Sequence, residues 1–258
     1  MEVVKRNREK RHRYGKFFVE GVSAINLAIK YGWKFDSFIF SSAKPLSNWA
    51  EQVLNDTRAE NYFDLTPELL QQLSDKEETS EVLALVCMRS TKLSDVAASP
   101  TGLIVVFDRP SSPGNLGTLI RSADAFGADA IVISGHAVDP YDTQVLRASV
   151  GTFFAHPVLR VESHEEVLQW VNQARAGGLQ FKVLGTSAKA EQVCSEADLS
   201  GPCVLLLGNE TSGLSRGYKE MSDILLKIPI NGVASSLNVS CAASILLYEL
   251  QRQRSASK

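Results

Sequence analysis

The sequence predicts an α/β protein in which a small α/β domain precedes a mostly parallel β-sheet with helices on both faces. The chain has 258 residues, enough for two domains that each bury a core. Short apolar runs separated by amphipathic segments fill the second part, which is the pattern of parallel strands covered on both faces. A small, polar, proline-containing stretch at residues 90–101 lies between the two parts of the chain and is the predicted linker.

The first domain is expected at residues 17–89, where helices and strands alternate. Apolar residues at helical spacing predict three helices, at Val22–Tyr31, Pro45–Leu54 and Pro67–Leu73. Short runs of strand-forming residues predict two strands, at Ser37–Phe40 and Val82–Met88.

The second domain is expected at residues 102–258. Five apolar runs predict buried strands, at Leu103–Phe107, Ala130–Ile133, Phe181–Leu184, Val204–Leu207 and Ile224–Ile228. Helices are predicted between and after them, at Thr118–Phe126, His164–Arg175 and Asn238–Gln251. The last helix has a broad apolar face, and either the sheet or a second subunit is needed to cover it.

Composition excludes several classes of protein. Hydrophobic residues make up 44% of the chain and charged residues 22%, yet no apolar run approaches the roughly 20 residues that span a membrane. The first sixteen residues are polar and basic, unlike a secretory signal, so the cytoplasm is expected. The four cysteines and four histidines are scattered without ligand spacing, so neither a metal nor a disulfide is predicted.

Basic charge is concentrated at the amino terminus. Residues 1–16 carry seven Lys and Arg against two Glu, and are predicted to form a flexible arm. Such an arm suits neutralisation of RNA phosphates, although a merely solvated terminus has the same composition. The cations assigned to RNA binding are Lys5, Arg6, Arg8, Lys10, Arg11 and Arg13.

Three loops follow predicted strands, where ligands bind in sheets of this kind. Residues 108–117 lead into a helix that carries Asn115 and Arg121. Residues 208–215 contain Glu210 between two glycines, and residues 229–240 contain Ser236 and Asn238. Taken singly, each has a structural alternative: Arg121 as a surface ion pair and the other polar residues as helix caps.

A dinucleotide-binding enzyme is the natural rival, because its site also begins with a strand, a glycine turn and a helix. Here the turn reads GNLG and lacks the G-x-G-x-x-G spacing. The next strand ends in Ser134-Gly135, where a ribose-binding carboxylate would be needed. Both departures count against this rival.

Taken together and in this order, the loops resemble the SpoU (TrmH-like) branch of the SPOUT RNA methyltransferases. The segments that carry the resemblance are SSPGNLGTLIRSADAFGADAI, LLLGNETSGLS and IPINGVASSLNVSCAASILLYEL, with DPYDTQVLRASVGTFFAHPV between the first two. The front part, including FFVEGVSAINLAI, resembles the ribosomal-protein-like substrate-binding domain of such enzymes. The departures are Ser112-Pro113, where the family often has Asp-Pro, and a longer basic arm.

The resemblance implies a fold and a function. The carboxyl-terminal segment is expected to be threaded into a trefoil knot that forms the cofactor pocket, and the knotted domains are expected to pair as a homodimer. The activity implied is transfer of a methyl group from S-adenosylmethionine to a ribose 2′-hydroxyl of RNA. Because the front domain is ribosomal-protein-like, ribosomal RNA is favoured over transfer RNA.

The resemblance also assigns roles to residues. Those expected to be catalytic or to contact substrate are Arg121, Asn115, Glu210, Ser236 and Asn238. Those expected at the cofactor are Gly208, Ile228, Leu237, Asn209, Pro229, Ile230, Thr186 and Ser187. Arg121 is either the base that takes the hydroxyl proton or a clamp on the RNA backbone, and the sequence leaves both open.

Two other functions are kept as alternatives. The first is an RNA-binding relative without activity, against which the intact set of polar residues argues. The second is the nicotinamide-dependent oxidoreductase described above.

Overall fold

The computed structural model describes residues 1–256, which lie in two compact units. The first comprises residues 1–90 and 139–155, and the second begins at Thr91 and omits only residues 139–155 thereafter. The expected boundaries divided the chain once, at the linker, so the discontinuous first unit differs from that prediction. Each unit has its own sheet.

The first unit is built on a four-stranded sheet with the order β1-β4-β2-β3. Its elements up to residue 90 are α1 (Glu2–Arg6), α2 (Arg8–Tyr14), β1 (Lys16–Glu20), α3 (Val22–Lys30), β2 (Phe35–Phe40), α4 (Asn48–Asp56), β3 (Ala59–Asp64), α5 (Pro67–Leu73) and β4 (Val82–Cys87). The three predicted helices and two predicted strands are present, with ends shifted by a few residues.

Aromatic side chains join residues 139–155 to the first unit. The rings of Phe17 and Trp33 pack against Phe153 and Phe154, with centroids 5.3–6.1 Å apart. The Trp33 indole Nε1 donates a hydrogen bond to the Phe154 carbonyl at 3.0 Å. The inserted segment therefore supplies part of the core of this unit, since buried aromatic rings contribute large apolar areas.

Residues 2–6 and 8–14 form helices and Lys16 begins β1, which corrects the prediction of a flexible arm. Lys5 is 4% exposed and its Nζ lies 2.7 Å from Asp75, while Arg11 is 2% exposed and its Nε lies 2.8 Å from Asp139. Because these two cations are buried and neutralised by acidic partners, the prediction that they bind RNA is corrected as well. Arg6 and Arg13 are exposed, and Arg8 and Lys10 are partly exposed.

The second unit contains a seven-stranded sheet with the order β7-β6-β5-β10-β8-β11-β9, and every neighbouring pair is parallel. The elements from residue 91 onward are β5 (Leu103–Asp108), α6 (Pro113–Ala125), β6 (Ala130–Ser134), α7 (Thr143–Ala148, which belongs to the first unit), β7 (Val158–Val161), α8 (His164–Ala176), β8 (Lys182–Thr186), β9 (Gln192–Val193), β10 (Cys203–Leu207), α9 (Arg216–Glu220), β11 (Ile224–Lys227) and α10 (Val239–Ala256). The prediction of a parallel sheet in an α/β protein is confirmed.

The strand order positions the loops. β5 and β10 are adjacent and parallel, with Phe107 opposite Leu207, so the loops that follow them leave the sheet side by side. α10 packs on α6, where the Ser240 hydroxyl donates to the Asn115 carbonyl at 3.0 Å and Ser122 and Ser244 hydroxyls lie 2.8 Å apart. Among residues 1–256 there is no helix both long and apolar enough to cross a membrane.

Candidate active site

A pocket of about 630 Å³ lies in the second unit, at the carboxyl ends of β8, β10 and β11. That volume is within the ordinary range for a small-molecule or cofactor site. The wall contains both apolar side chains and polar loop residues, as is usual for sites of this kind.

The pocket brings together most of the residues assigned from the sequence. Those that line it are Asn115, Glu210, Ser236, Asn238, Gly208, Asn209, Ile228, Ile230, Leu237, Thr186 and Ser187. Arg121 and Pro229 are not part of the wall. Residues from all three loops therefore meet at one cavity, although they are far apart in the chain.

Glu210 ties the second loop to the first. Its Oε2 accepts hydrogen bonds from the Ser111 amide at 3.0 Å and the Ser111 hydroxyl at 2.8 Å. Its Oε1 accepts from the Ser112 amide at 3.0 Å and from Asn115 Nδ2 at 3.2 Å. Burial raises the pKa of Glu210, but the hydrogen bonds outweigh it and hold the pKa below its ordinary value. The carboxylate is thus an ionised anchor with both oxygens engaged.

Asn115 is in turn bonded to the third loop. Asn238 Nδ2 donates to Asn115 Oδ1 at 3.0 Å, while Asn238 Oδ1 accepts from the Ser240 amide at 2.9 Å and so caps α10. The chain of hydrogen bonds from Glu210 through Asn115 to Asn238 therefore crosses all three loops.

Asp108 and Arg109 form a second connection between the first two loops. Asp108 is buried at the end of β5 and accepts from the Ser215 amide at 2.7 Å and Arg109 Nε at 3.0 Å. Arg109 Nη2 also donates to the Gly213 carbonyl at 3.0 Å, and its own carbonyl accepts from Asn209 Nδ2 at 2.7 Å. Arg109 has a positive φ of 53°, an uncommon conformation for a residue other than glycine.

Gly208 allows these loops to close. A Cβ at this position would lie 2.2 Å from the Leu214 amide nitrogen, far inside van der Waals contact. Only glycine permits this close approach of two backbone segments at the pocket wall.

Arg121 is on α6, six residues after Asn115, and is exposed. Six residues correspond to about 240° of rotation on an α-helix, so Arg121 is on a different side from Asn115. Within its own chain, Arg121 is not in the pocket wall, whereas the other four residues assigned to catalysis or substrate contact are.

The side chains and backbone groups that line the pocket suit an organic cofactor. Apolar side chains on several sides, including Leu207, Leu226 and Leu246, can enclose an aromatic base, and Thr186, Ser187 and the loop backbone can bind polar groups. Three cationic residues, Lys189, Lys219 and Lys227, also contribute to the wall. Within residues 1–256, no group of three or more His, Cys, Asp or Glu side chains that could hold a metal ion was found.

Comparison with known proteins places the chain in a family. The profile of the SpoU rRNA Methylase family matches residues 102–248, and that of the SpoU L30e-like domain matches residues 2–84. The chain belongs to the SpoU rRNA methylase family. The resemblance drawn from the sequence motifs is thereby confirmed.

Individual SpoU proteins match over nearly the whole chain. A 23S rRNA (uridine(2479)-2′-O)-methyltransferase of Streptomyces viridochromogenes is 42% identical over 249 residues, covering 96% of this chain and 86% of the relative. The structure of the SpoU methyltransferase AviRb from the same organism, in complex with AdoMet, matches with a TM-score of 0.94 at 40% identity, covering 99% of this chain and 96% of that chain. An AdoMet-bound rRNA methyltransferase of Sinorhizobium meliloti matches with a TM-score of 0.87 at 29% identity, covering 97% and 92%.

The sequence did not single out four residues that organise this SpoU site: Asp108, Arg109, Ser111 and Ser240. Asp108, Arg109 and Ser240 each bond to a backbone group elsewhere, and Ser111 donates its own backbone amide to Glu210. Bonds that involve the backbone have no signature in the sequence. The one available signal is Asp108, a carboxylate at the end of a fully buried strand, because a buried charge requires partners.

Proposed function

We propose that this SpoU methylase transfers the methyl group of S-adenosylmethionine to a ribose 2′-hydroxyl of 23S ribosomal RNA. The observation that carries the proposal is the hydrogen-bonded chain from Glu210 through Asn115 to Asn238 at the rim of a cofactor-sized pocket. The S. viridochromogenes relative, 42% identical, is named as an enzyme of this activity on 23S rRNA. The substrate class follows from that relationship.

The cofactor is proposed to occupy the pocket at the ends of β8, β10 and β11. When bound, S-adenosylmethionine supplies an electrophilic methyl group on a sulfonium. The residues proposed to hold it are Gly208, Asn209, Ile228, Pro229, Ile230, Leu237, Thr186 and Ser187, seven of which line the wall. Thr186 Oγ1 already donates to the Leu206 carbonyl at 2.9 Å, so its hydroxyl is fixed towards the neighbouring strand.

Positioning of the ribose is assigned to the neutral polar groups. Asn115, Ser236 and Asn238 offer donors and acceptors at the rim, and holding the acceptor oxygen in line accounts for much of the acceleration in such a displacement. Glu210 is assigned a positioning role, since both of its oxygens are engaged by Ser111, Ser112 and Asn115.

Arg121 is proposed to act on the acceptor from a second copy of the chain. It is exposed on α6 and absent from its own pocket wall, so another copy offers a way for its guanidinium to reach a pocket. α10, which packs on α6, exposes Ile245 and Tyr248, and Tyr248 is 57% exposed beside Phe126. Pairing of these faces in a homodimer would cover the apolar patch. A guanidinium there would bind phosphate and stabilise the developing alkoxide.

Mixed dimers test this arrangement. Arg121→Ala and Asn238→Ala, each inactive alone, are coexpressed with different tags and the mixed dimer is purified. The purified mixed dimer is expected to have roughly half of the wild-type activity if Arg121 acts across the interface, because one of its two sites is then complete. Inactive mixed dimers, or a wild-type chain that is monomeric at micromolar concentration, would overturn the proposal.

The remaining assignments follow from the substrate. The exposed cations Arg6 and Arg13, with the partly exposed Arg8 and Lys10, are proposed to approach RNA phosphates. A protein that modifies ribosomal RNA is expected in the cytoplasm. The trefoil knot that the family resemblance implies stays a prediction.

The activity is tested by mapping 2′-O-methyl sites in total RNA from cells with and without the gene. Loss of one 23S mark, restored by the wild-type gene and not by Arg121→Ala, is the expected result. Loss of a mark in transfer RNA instead would contradict the substrate assignment. Titration calorimetry with S-adenosylmethionine and with NAD separates the methyltransferase from the oxidoreductase, since only one of the two compounds should bind.

A further inference from the structure

We propose that one end of the four-stranded sheet in the first unit is a docking surface for unpaired RNA nucleotides. This inference rests on the proposed function, because it takes RNA as the substrate, and it extends the recognition surface from the end of α2 to the neighbouring end of the sheet. The surface, here called the basic edge, carries five exposed cations: Arg13, Lys30, Lys34, Arg58 and Arg89.

Residues at the end of β4 bring these cations together. The Cys87 amide donates to the Lys34 carbonyl at 2.9 Å, and the Met88 amide donates to the Gly15 carbonyl at 2.7 Å. Arg89 Nη2 donates to the Tyr31 carbonyl at 2.7 Å. Three consecutive residues thus hold the ends of α2 and α3 and the start of β2 at the same edge of the sheet.

Arg58 joins the edge through strand pairing. β2 and β3 are parallel, with Phe35 opposite Ala59, so the preceding residues Lys34 and Arg58 are neighbours. Not every charge at this end is positive. Lys16 is paired with the buried Asp36, and two exposed carboxylates, Asp56 at the end of α4 and Glu60 on β3, remove two positive charges. Five exposed cations against these two carboxylates leave a positive excess of three.

Two tyrosines stand among these cations. Tyr14 ends α2 and is 53% exposed, and Tyr31 follows α3 and is 40% exposed. The Lys30 ammonium lies 5.5 Å from the Tyr31 ring centroid, and the Arg89 guanidinium lies 4.2 Å from that of Trp33. Exposed rings interleaved with cations suit unpaired nucleotides, whose bases stack on aromatic side chains while their phosphates are neutralised. An acidic peptide would use the charges but not two flat rings.

The opposite end of the same sheet has the reverse charge. β1 and β3 end at Glu20 and Asp64, and β4 begins just after Glu81. The loop before β4 adds the exposed Glu77 and Glu78, and Asp75, which is paired with Lys5. Lys44, Lys76 and Arg147 are exposed cations at that end. A charge separation along one small sheet orients an approaching polyanion towards the basic edge and away from the other end.

Matched double variants test the surface in the full-length protein. Lys34→Gln with Arg58→Gln removes two charges from the basic edge, and Lys44→Gln with Lys76→Gln removes two from the opposite end. Affinity for a 23S rRNA fragment that contains the methylated nucleotide is measured at several salt concentrations. The slope of log K against log salt is negative, and its magnitude is expected to decrease by roughly 1.4 in the basic-edge variant, as for two lost single-strand phosphate contacts. The control variant should change the slope much less. Equal slopes for the two variants would overturn the proposal.

Aromatic variants test stacking. Tyr14→Ala and Tyr31→Ala are each expected to weaken binding of a fragment with an unpaired loop by about tenfold, while Tyr14→Phe and Tyr31→Phe keep most of the affinity because the ring remains. A fully paired duplex should be insensitive to all four. If the Phe variants lose as much as the Ala variants, or if a polyglutamate peptide displaces the RNA at comparable charge, the surface is not a base-stacking site.

The outcomes separate this inference from the proposed function. If the basic-edge variant methylates RNA normally with an unchanged KM for RNA, the docking surface is refuted and the proposed methyltransferase function is not. If the wild-type protein binds the rRNA loop through the basic edge but methylates no RNA, the docking surface is supported and the proposed function is refuted. Thermal unfolding followed by circular dichroism checks that every variant is folded, because the substitutions lie in the first unit and the cofactor pocket lies in the second.

Discussion

The Asn238 amide donates a hydrogen bond to Asn115 Oδ1 at 3.0 Å and so joins the loop before α10 to the first turn of α6. Asn115 also donates to Glu210, so one amide side chain connects the residues that follow β11 to those that follow β10. An amide is suited to this place because it offers a donor and an acceptor on one planar group. The predictions below concern this link and its neighbours.

Replacing Asn238 should separate catalysis from cofactor binding. Asn238→Ala removes the bond to Asn115 and the cap on the Ser240 amide, and kcat is expected to fall by about a hundredfold, as when one oriented hydrogen-bond donor is lost from an active site. Titration calorimetry should show that the Kd for S-adenosylmethionine changes by only a few fold. Ser244→Ala, which removes a hydroxyl further along the same helix, is the control. Equal loss of cofactor affinity would mean that Asn238 shapes the pocket rather than the acceptor position.

Arg121→Ala is expected to abolish methylation and to leave cofactor binding nearly intact, because Arg121 is not part of the pocket wall of its own chain. Arg121→Lys should restore little activity, since an ammonium cannot replace the bidentate geometry of a guanidinium. Incorporation of labelled methyl groups into rRNA measures the first effect and calorimetry the second. Parallel loss of both would show instead that Arg121 maintains the fold.

The stability lost in Glu210→Gln should depend on pH, and this dependence tests whether the Glu210 carboxylate anchors the loops. The pKa of Glu210 is lower in the folded protein than its ordinary value, so its carboxylate contributes stability at pH values above the unfolded pKa of about 4.3. That contribution disappears as the pH falls through the folded pKa. Denaturant unfolding should therefore show the wild-type protein more stable than Glu210→Gln near pH 7, with the difference shrinking below about pH 4. A difference that is constant from pH 7 to pH 3 would exclude the carboxylate as the source.

Gly208→Ala tests the close approach at the pocket wall. The added methyl group would lie 2.2 Å from the Leu214 amide nitrogen, which belongs to the backbone and cannot rotate away. Overpacking of this kind costs about 1–3 kcal/mol, and the distorted loop should also lose affinity for S-adenosylmethionine. Gly201→Ala is the matched control, since nothing lies within 4 Å of a Cβ there. Thermal unfolding and calorimetry measure the two effects, and similar values for both variants would contradict the explanation.

The parts of the fold that could be predicted are those whose burial produces a recognisable pattern in the local sequence. β5 and β10 are buried along their whole length, and residues 103–107 and 203–207 are uninterrupted apolar runs. β3 was missed because only its first residue, Ala59, is buried, as expected for a strand at the edge of a sheet. The inserted segment escaped prediction for another reason. Its place in the first unit depends on contacts such as Trp33 with Phe154, which are 121 positions apart in the chain.

The site was predictable to a similar depth. The three loops were identified from the ends of the predicted strands, and the pocket residues through family resemblance. The function predicted with them, a ribose methyltransferase that uses S-adenosylmethionine, is confirmed by membership of the SpoU family. The roles of single residues stay predictions. What the sequence did not reveal is how the loops are held, because Asp108 and Arg109 act mainly on the backbone at Ser215 and Gly213. Lys5 and Arg11 show the converse, since a run of cations predicts a solvated arm unless acidic partners elsewhere bury some of them.

Residues 139–155 have a consequence for how the protein can be divided. A polypeptide ending at Ser90 would lack Tyr141, Phe153 and Phe154, and would leave Phe17 and Trp33 with much of their apolar surface in water. Because the first unit is assembled from residues 1–90 and 139–155, no single continuous segment of the chain contains this unit alone. A chimera that exchanges it must carry both pieces of the gene, and any single cut leaves one of the two cores incomplete.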